Sequence, residues 1–357
     1  MSPIKKIDAL GLENVKYPNI EKISFEPREF TSKDVDIKVH CCSICGADIH
    51  WSREDWFPFH KPLIPGHEIV GTVVALGNDV QHLKIGDRVG VGAGAGSCHG
   101  CTRCQNGHEN NCSKGIMTYG NADPSINQQG GYATHVRVDS KFAIKIPVEL
   151  SDEHAAPLMC GGITGFAPLL LNKVGKGSNI GVCGIGGIGH MSLLFGKALG
   201  ANMSAISSSN SKRELVKELG IDNYIDLSAK DAVSNNHDSF ELIIHTGAFL
   251  NDELLQNLLL MLKPNGRLQI ITGPEPGKDI KLPQWLLIQN NISIGGSAVG
   301  SPADIEYMLN VAAKNNIKPL IEKVPINPEN ITEAWKRIDE SKVRFRVVLT
   351  DYNEYFK

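Results

Sequence analysis

No stretch of this 357-residue chain approaches the ~18 consecutive apolar residues of a membrane-spanning helix, so no span is expected. Charge of one sign is also not in excess. Lys and Arg number 36 against 39 Asp and Glu, a formal net charge of −3. Nucleic-acid binders carry a basic surplus, and that class is set aside. The opening MSPIKKIDALGLENVKY has no apolar leader core, and the closing DYNEYFK has no lipidation or peroxisomal signal. The expected compartment is therefore cytoplasmic. Internal repeats and low-complexity tracts are lacking as well. Nine cysteines in such a chain predict reduced thiols and metal ligands rather than a disulfide framework. The length allows about two domains with a large buried core.

What is present centres on CCSICGADIHWSREDWFPFHKPLIPGHEIVG, residues 41–71. It holds Cys45 and, later, His67 followed at once by Glu68. Cys160 comes much further on, in MCGGITG. Two thiolates and one imidazole make a three-ligand set for Zn²⁺ that leaves a fourth position open for water or substrate. Taken singly, each of the three reads equally well as a buried core residue.

Cys98, Cys101, Cys104 and Cys112 form C-x₂-C-x₂-C-x₇-C. Four thiolates close a tetrahedron and leave no position for chemistry, so this set predicts a structural zinc. A redox dithiol would not need four cysteines, and an iron–sulfur cluster is less usual at this spacing. Gly100 and Gly107 are expected to turn the backbone around the ion.

Gly184-Ile185-Gly186-Gly187-Ile188-Gly189 follows the strand-like NIGVC and opens the helical HMSLLFGKAL. In that context a GxGxxG sequence predicts a pyrophosphate seated at a helix N-terminus. An NAD site would place an acid about 20 residues later to bind the ribose 2′-hydroxyl. Here no acid occurs between Gly189 and Glu214; the chain offers Ser207, Ser208 and Ser209, then Lys212 and Arg213. Hydroxyls and cations suit a 2′-phosphate, so the expected cofactor is NADP(H).

The first 150 residues read as short strands broken by Gly and Pro, consistent with a distorted barrel. From about Pro147 strands alternate with helices, which predicts a doubly wound parallel sheet. The segment LLQNLLLMLKPNG reads as one of those helices. The last strand, RFRVVL, is expected to return to the first domain.

Together these motifs resemble the zinc-dependent medium-chain alcohol dehydrogenases, most of all the cinnamyl alcohol dehydrogenase branch and its fungal NADP-dependent members. The match runs along essentially the whole chain. It implies an α/β protein with a GroES-like β-barrel catalytic domain over 1–160 and 301–357 and a Rossmann cofactor domain over 161–300. It implies two Zn²⁺ per chain, NADP(H), and hydride transfer between that cofactor and a primary alcohol or aldehyde. By the same resemblance, Asp48 orients His67, Glu68 exchanges onto the zinc, and His50 serves a proton relay near the nicotinamide ribose. Thr164 contacts the nicotinamide end, and Arg346 holds the pyrophosphate. A homodimer joined through NISIGGSAV is implied too. Trp51, Trp56 and Phe57 either line a pocket for aromatic or medium aliphatic aldehydes or pack the barrel. One position departs from the family: Ala47 stands where relatives carry the relay's Ser or Thr. That departure keeps two alternatives open, a conjugate C=C reductase and a weakly active NADPH-binding regulator.

Overall fold

The computed structural model describes residues 2–273 and 279–357. They divide into two compact units, 1–163 with 300–357, and 164–299.

The first unit is built on a seven-stranded sheet. Its path runs Ile321–Pro325, Arg346–Thr350, Asp34–Ile44, Ile69–Leu76, Arg88–Val91 and Ile144–Lys145, and His135–Asp139 also pairs with Asp34–Ile44. The pairings are antiparallel except that between the two C-terminal strands. Asp34–Ile44 alternates Asp, Lys and His with Val, Ile and Cys as far as Cys41, yet it is buried almost throughout, only Lys38 being exposed and His40 partly so. Register shifts at Asp36/Ile37 and Val39/Cys41 bend it. Its end feeds Cys45, the N-cap of the short helix Gly46–Ser52, whose backbone N–H is capped by the Asp48 carboxylate at 2.8 Å. The C-terminal strand returns to this sheet, pairing Val347 with Ile44, which brings Arg346 to the same end.

The second unit is a six-stranded, all-parallel sheet. Its order is Asn223–Asp226, Asn202–Ser207, Asn179–Cys183, Phe240–His245, Leu262–Ile270 and Ser293–Gly296. In chain order that is 3-2-1-4-5-6, the dinucleotide-binding order, with the reversal between Asn179–Cys183 and Phe240–His245. One element differs from expectation. The helix Asp252–Leu260 stops early, and Leu262 already pairs with Phe240, so LKPNG belongs to a strand. Pro264 and Asn265 fall where the register shifts between Phe240 and Leu242, which is how a central strand accommodates them. Among the described residues, no single helix is long and apolar enough to cross a membrane.

Candidate metal centres and dinucleotide site

The sheet of the first unit gathers Cys45, His67, Glu68 and Cys160. All four are buried, and their ligand atoms lie within 4.8 Å of one another. Around them is a shell of polar partners. Asp48, fully buried, accepts from Tyr119 O–H at 2.5 Å, Gly66 N–H at 3.0 Å and Tyr132 O–H at 3.3 Å, besides the N–H of Cys45. His67 Nδ1 stands 3.2 Å from Asp48 Oδ1 and 3.1 Å from Tyr119 Oη. With Nδ1 engaged there, Nε2 is the nitrogen left for a metal.

The electrostatics agree with a cation site. A hydrogen bond from Cys160 and the charge of His67 hold the Cys45 thiol well below its ordinary range, against the effect of burial. Cys160, donating that bond and buried beside Cys45, is pushed well up. Burial lowers His67, but the Asp48 carboxylate and Cys45 outweigh it and raise the ring. Glu68 is raised by burial, with the Arg346 guanidinium opposing. A divalent cation would relieve this crowding of anionic donors, so the residues fit the ion.

Arg346, expected at a pyrophosphate, donates instead to Glu68 in this structure, and its Nε is buried with no partner among the described residues. Glu68 also accepts from Gly161 N–H at 3.0 Å. Its carboxylate is therefore held away from purely solvent-facing roles by two donors of its own unit.

His50 is half-exposed; its Nδ1 lies 2.8 Å from Asp55, and its ring stacks on Trp56 at 4.8 Å. Ala47 lies between Cys45 and Asp48 on the same short helix. Trp51 is buried and meets Trp56 edge-on at 6.3 Å, while Phe57 is 63 % exposed. Thr164 is buried in the helix Gly161–Leu171.

The four-cysteine lobe has a different texture. Its S···S separations are 3.5 Å for Cys101–Cys104 and Cys112–Cys98, and 3.9 Å for Cys98–Cys104 and Cys101–Cys112. Four sulfurs ~2.3 Å from one central ion stand ~3.8 Å apart, so the lobe is dimensioned for a single zinc. A disulfide would need ~2.05 Å, and a multi-iron cluster would spread the sulfurs further. Gly107 does adopt a left-handed backbone, φ 75°, but beside Gly100 the left-handed residue is His99, φ 57°. His99 is fixed there by Asp139 at 2.5 Å.

In the second unit, the strand Asn179–Cys183 leads into the glycine turn, and the helix Gly189–Ala198 starts at its end. Gly184 takes φ 94°, and a Cβ there would stand 2.6 Å from Gly247 N, so only glycine fits. Ser207 ends its strand; Ser208 and Ser209 follow, exposed. Lys212 Nζ donates to the carbonyl of Ile185 at 2.6 Å, tying the serine segment to the glycine turn. Arg213 lies over the Tyr224 ring at 4.7 Å, and Tyr224 O–H donates to Ser209 O at 2.6 Å. Asp226 is the register partner of Ser207, but its carboxylate accepts from Ser228 N–H and O–H.

Sequence reasoning missed Tyr119 and Tyr132. Neither lies in a motif; each reaches Asp48 only through the folded barrel.

Residues 31–148 match the family described as the alcohol dehydrogenase GroES-like domain, and 187–314 match the zinc-binding dehydrogenase family. The NADP-dependent alcohol dehydrogenase 6 of Saccharomyces cerevisiae is 37 % identical over 100 % of this chain and 99 % of its own. A cinnamyl alcohol dehydrogenase of Sorghum bicolor superposes with a TM-score of 0.90 at 32 % identity, covering 97 % of this chain and 98 % of that one. The corresponding enzyme of Helicobacter pylori, solved with NADP(H), gives 0.88 at 28 % identity, covering 97 % and 98 %. The chain belongs to the zinc-binding medium-chain alcohol dehydrogenases, on their cinnamyl alcohol dehydrogenase-like branch.

Proposed function

We propose that the protein is an NADP(H)-dependent aldehyde reductase and alcohol dehydrogenase, with residues 1–160 and 301–357 as catalytic domain and 161–300 as cofactor domain. The observation that carries this reading is the buried set Cys45, His67, Glu68 and Cys160, within 4.8 Å of one another, in a chain of this family. Lewis-acid polarisation of a carbonyl oxygen is the chemistry that a zinc ion held by Cys45, His67 and Cys160 supplies. The other roles fall to the chain's own groups. Asp48 fixes the tautomer and angle of His67, with Tyr119 and Tyr132 holding Asp48 in turn. His50, oriented by Asp55 and half-exposed, passes the proton to solvent. Cys98, Cys101, Cys104 and Cys112 hold the second zinc, which braces their loop. In the cofactor domain, Gly184, Ile185, Gly186, Gly187, Ile188 and Gly189 receive the pyrophosphate. Thr164 serves the nicotinamide end. Arg346 would have to leave Glu68 to act on the cofactor.

The choice of NADP(H) rests on Ser207, Ser208, Ser209 and Lys212 and on the absence of an acid before Glu214. Charge-assisted contacts are worth ~1.5–3 kcal/mol each, so two or three of them give at least ~100-fold higher kcat/KM with NADPH than with NADH. Lys212→Ala erodes that preference. Equal use of the two cofactors by the parent protein would sink this assignment.

Trp51, Trp56 and Phe57 favour aromatic, cinnamyl-like or medium aliphatic aldehydes, tested by NADPH consumption across cinnamaldehyde, benzaldehyde and an aliphatic series. Ala47 supports a second reading, reduction of a conjugated C=C bond, whose proton goes to carbon and needs no hydroxyl at that position. An enal substrate separates the two by its product. The strand Ser293–Gly296 is the outer strand of its sheet and supports a homodimer through that edge, checked by sedimentation. A cytoplasmic location completes the proposal.

A further inference from the structure

The second unit holds a buried histidine that none of these roles uses. His245 ends the strand Phe240–His245 and is 1 % exposed. Its Nε2 lies 3.1 Å from the carbonyl oxygen of Phe249. A carbonyl only accepts, so Nε2 carries the proton and donates. Nδ1 of the neutral ring is then a bare acceptor, and it is buried with no partner among the described residues. Burial lowers the ring's pKa more than the Phe249 carbonyl raises it, which keeps the second proton off. A buried acceptor left without a donor is costly, and native folds leave few of them.

Its place in the sheet bears on which donor could meet Nδ1. The strand order reverses between Asn179–Cys183 and Phe240–His245. A dinucleotide crosses a sheet of this order at that reversal, beyond the carboxyl ends of the strands. His245 is the register partner of Cys183. Thr246 donates its N–H to Cys183 O at 2.8 Å and its hydroxyl to Gly184 O at 2.5 Å. The segment 245–247 is thus packed directly on the glycine turn. The serines 207–209 flank that turn from the neighbouring strand on one side, and His245 from the neighbouring strand on the other. With the 2′-phosphate at the serines, the half of the cofactor beyond the pyrophosphate is the one that reaches His245. That half carries O–H donors on its ribose and an N–H₂ donor on its carboxamide. A phosphate ester near neutrality offers acceptors and cannot satisfy Nδ1.

We propose that His245 is a cofactor-positioning residue whose Nδ1 accepts a hydrogen bond from a donor on the nicotinamide half of NADP(H), either a ribose hydroxyl or the carboxamide. The proposal rests on the NADP(H) reading above. Two variants separate the two ring nitrogens. His245→Gln keeps a donor toward Phe249 O and removes the acceptor at Nδ1. His245→Asn places an amide oxygen near the position of Nδ1 and gives up the donor.

The test is calorimetric titration of the zinc-loaded protein with NADPH, with adenosine 2′,5′-bisphosphate, and with the 3-acetylpyridine analogue of the reduced cofactor, which lacks the N–H₂ group. His245→Gln is expected to weaken NADPH about tenfold, the worth of one hydrogen bond, and to leave the bisphosphate unchanged. His245→Asn is expected to recover most of the loss. If the acetylpyridine analogue is insensitive to His245→Gln, the donor is the carboxamide; if it loses as much as NADPH, the donor is the ribose. Unchanged NADPH affinity in His245→Gln, or equal loss of NADPH and bisphosphate in both variants, would overturn the proposal. A parent protein that binds NADH as tightly as NADPH and ignores the bisphosphate would overturn the NADP(H) reading instead, and the Gln and Asn comparison is then made with NADH.

Discussion

The two clusters of metal donors are assembled by opposite means. Cys98, Cys101, Cys104 and Cys112 lie in one short loop, solvent reaches three of them, and only Cys104 is buried. Cys45, the adjacent pair His67 and Glu68, and Cys160 come from three separate segments of the first unit, and all four are buried. In the lobe the donors are alike and are held chiefly by one another, with Lys114 N–H also donating to Cys112 Sγ at 3.4 Å, so a metal there substitutes for a missing core. In the barrel the donors are unlike, and each polar neighbour is already spoken for: Asp48 by two tyrosines and two backbone N–H groups, Glu68 by Arg346 and Gly161. The barrel would hold that arrangement without the ion. The lobe would not. A site meant to exchange ligands needs a frame that outlasts the exchange.

The sharpest way to break this contrast is to remove one sulfur from each cluster. Cys104→Ser is expected to cost more than ~4 kcal/mol of stability, in the range of lost metal sites, and to release one zinc. Cys160→Ser is expected to release the other zinc and abolish turnover with less than half that stability loss. Denaturant unfolding with parallel zinc analysis reads both; equal stability losses would erase the distinction.

A second variant probes the frame itself. Arg346→Met strands the buried Glu68 carboxylate, and breaking a buried pair on one side costs ~3–5 kcal/mol. Adding Glu68→Gln should return much of that stability. Additive losses in the double variant would show that the two residues do not act as a pair.

The smallest expected effect is at Ala47. A methyl neither donates nor accepts, so the relay proposed through His50 would need a bridging water, ordered in each turnover. Ala47→Ser should raise aldehyde turnover a few-fold and reduce the solvent deuterium isotope effect. For C=C reduction it should leave the product rate unchanged or lower. Identical kcat and isotope effect in parent and variant on aldehydes would make Ala47 a tolerated substitution and nothing more.

The same contrast governs what could be read from sequence. The lobe is legible because its geometry is local: the spacing of four cysteines already dictates sulfurs on one centre. The strand–turn–helix around Gly184 is legible for the same reason, and so is the α/β class. Tyr119 and Tyr132 were not, because they reach the helix residue Asp48 from irregular segments 71 and 84 residues further along the chain, and a lone tyrosine carries no spacing signal. The position of Arg346 on Glu68 follows from the pairing of Val347 with Ile44, a long-range register that no motif announces. His99 escaped because a left-handed backbone was sought at a glycine. The LKPNG strand escaped because its Leu-rich approach has helical periodicity, and only pairing with Phe240 decides otherwise.

The most direct test of the two-cluster account is a timed chelation of the freshly purified, reduced protein, reading zinc content and near-ultraviolet circular dichroism together. The account predicts two zincs per chain. One leaves first, taking activity with it and leaving the tertiary signal intact; the second leaves only as that signal collapses. A single zinc per chain, or two that depart together with the fold, would contradict it.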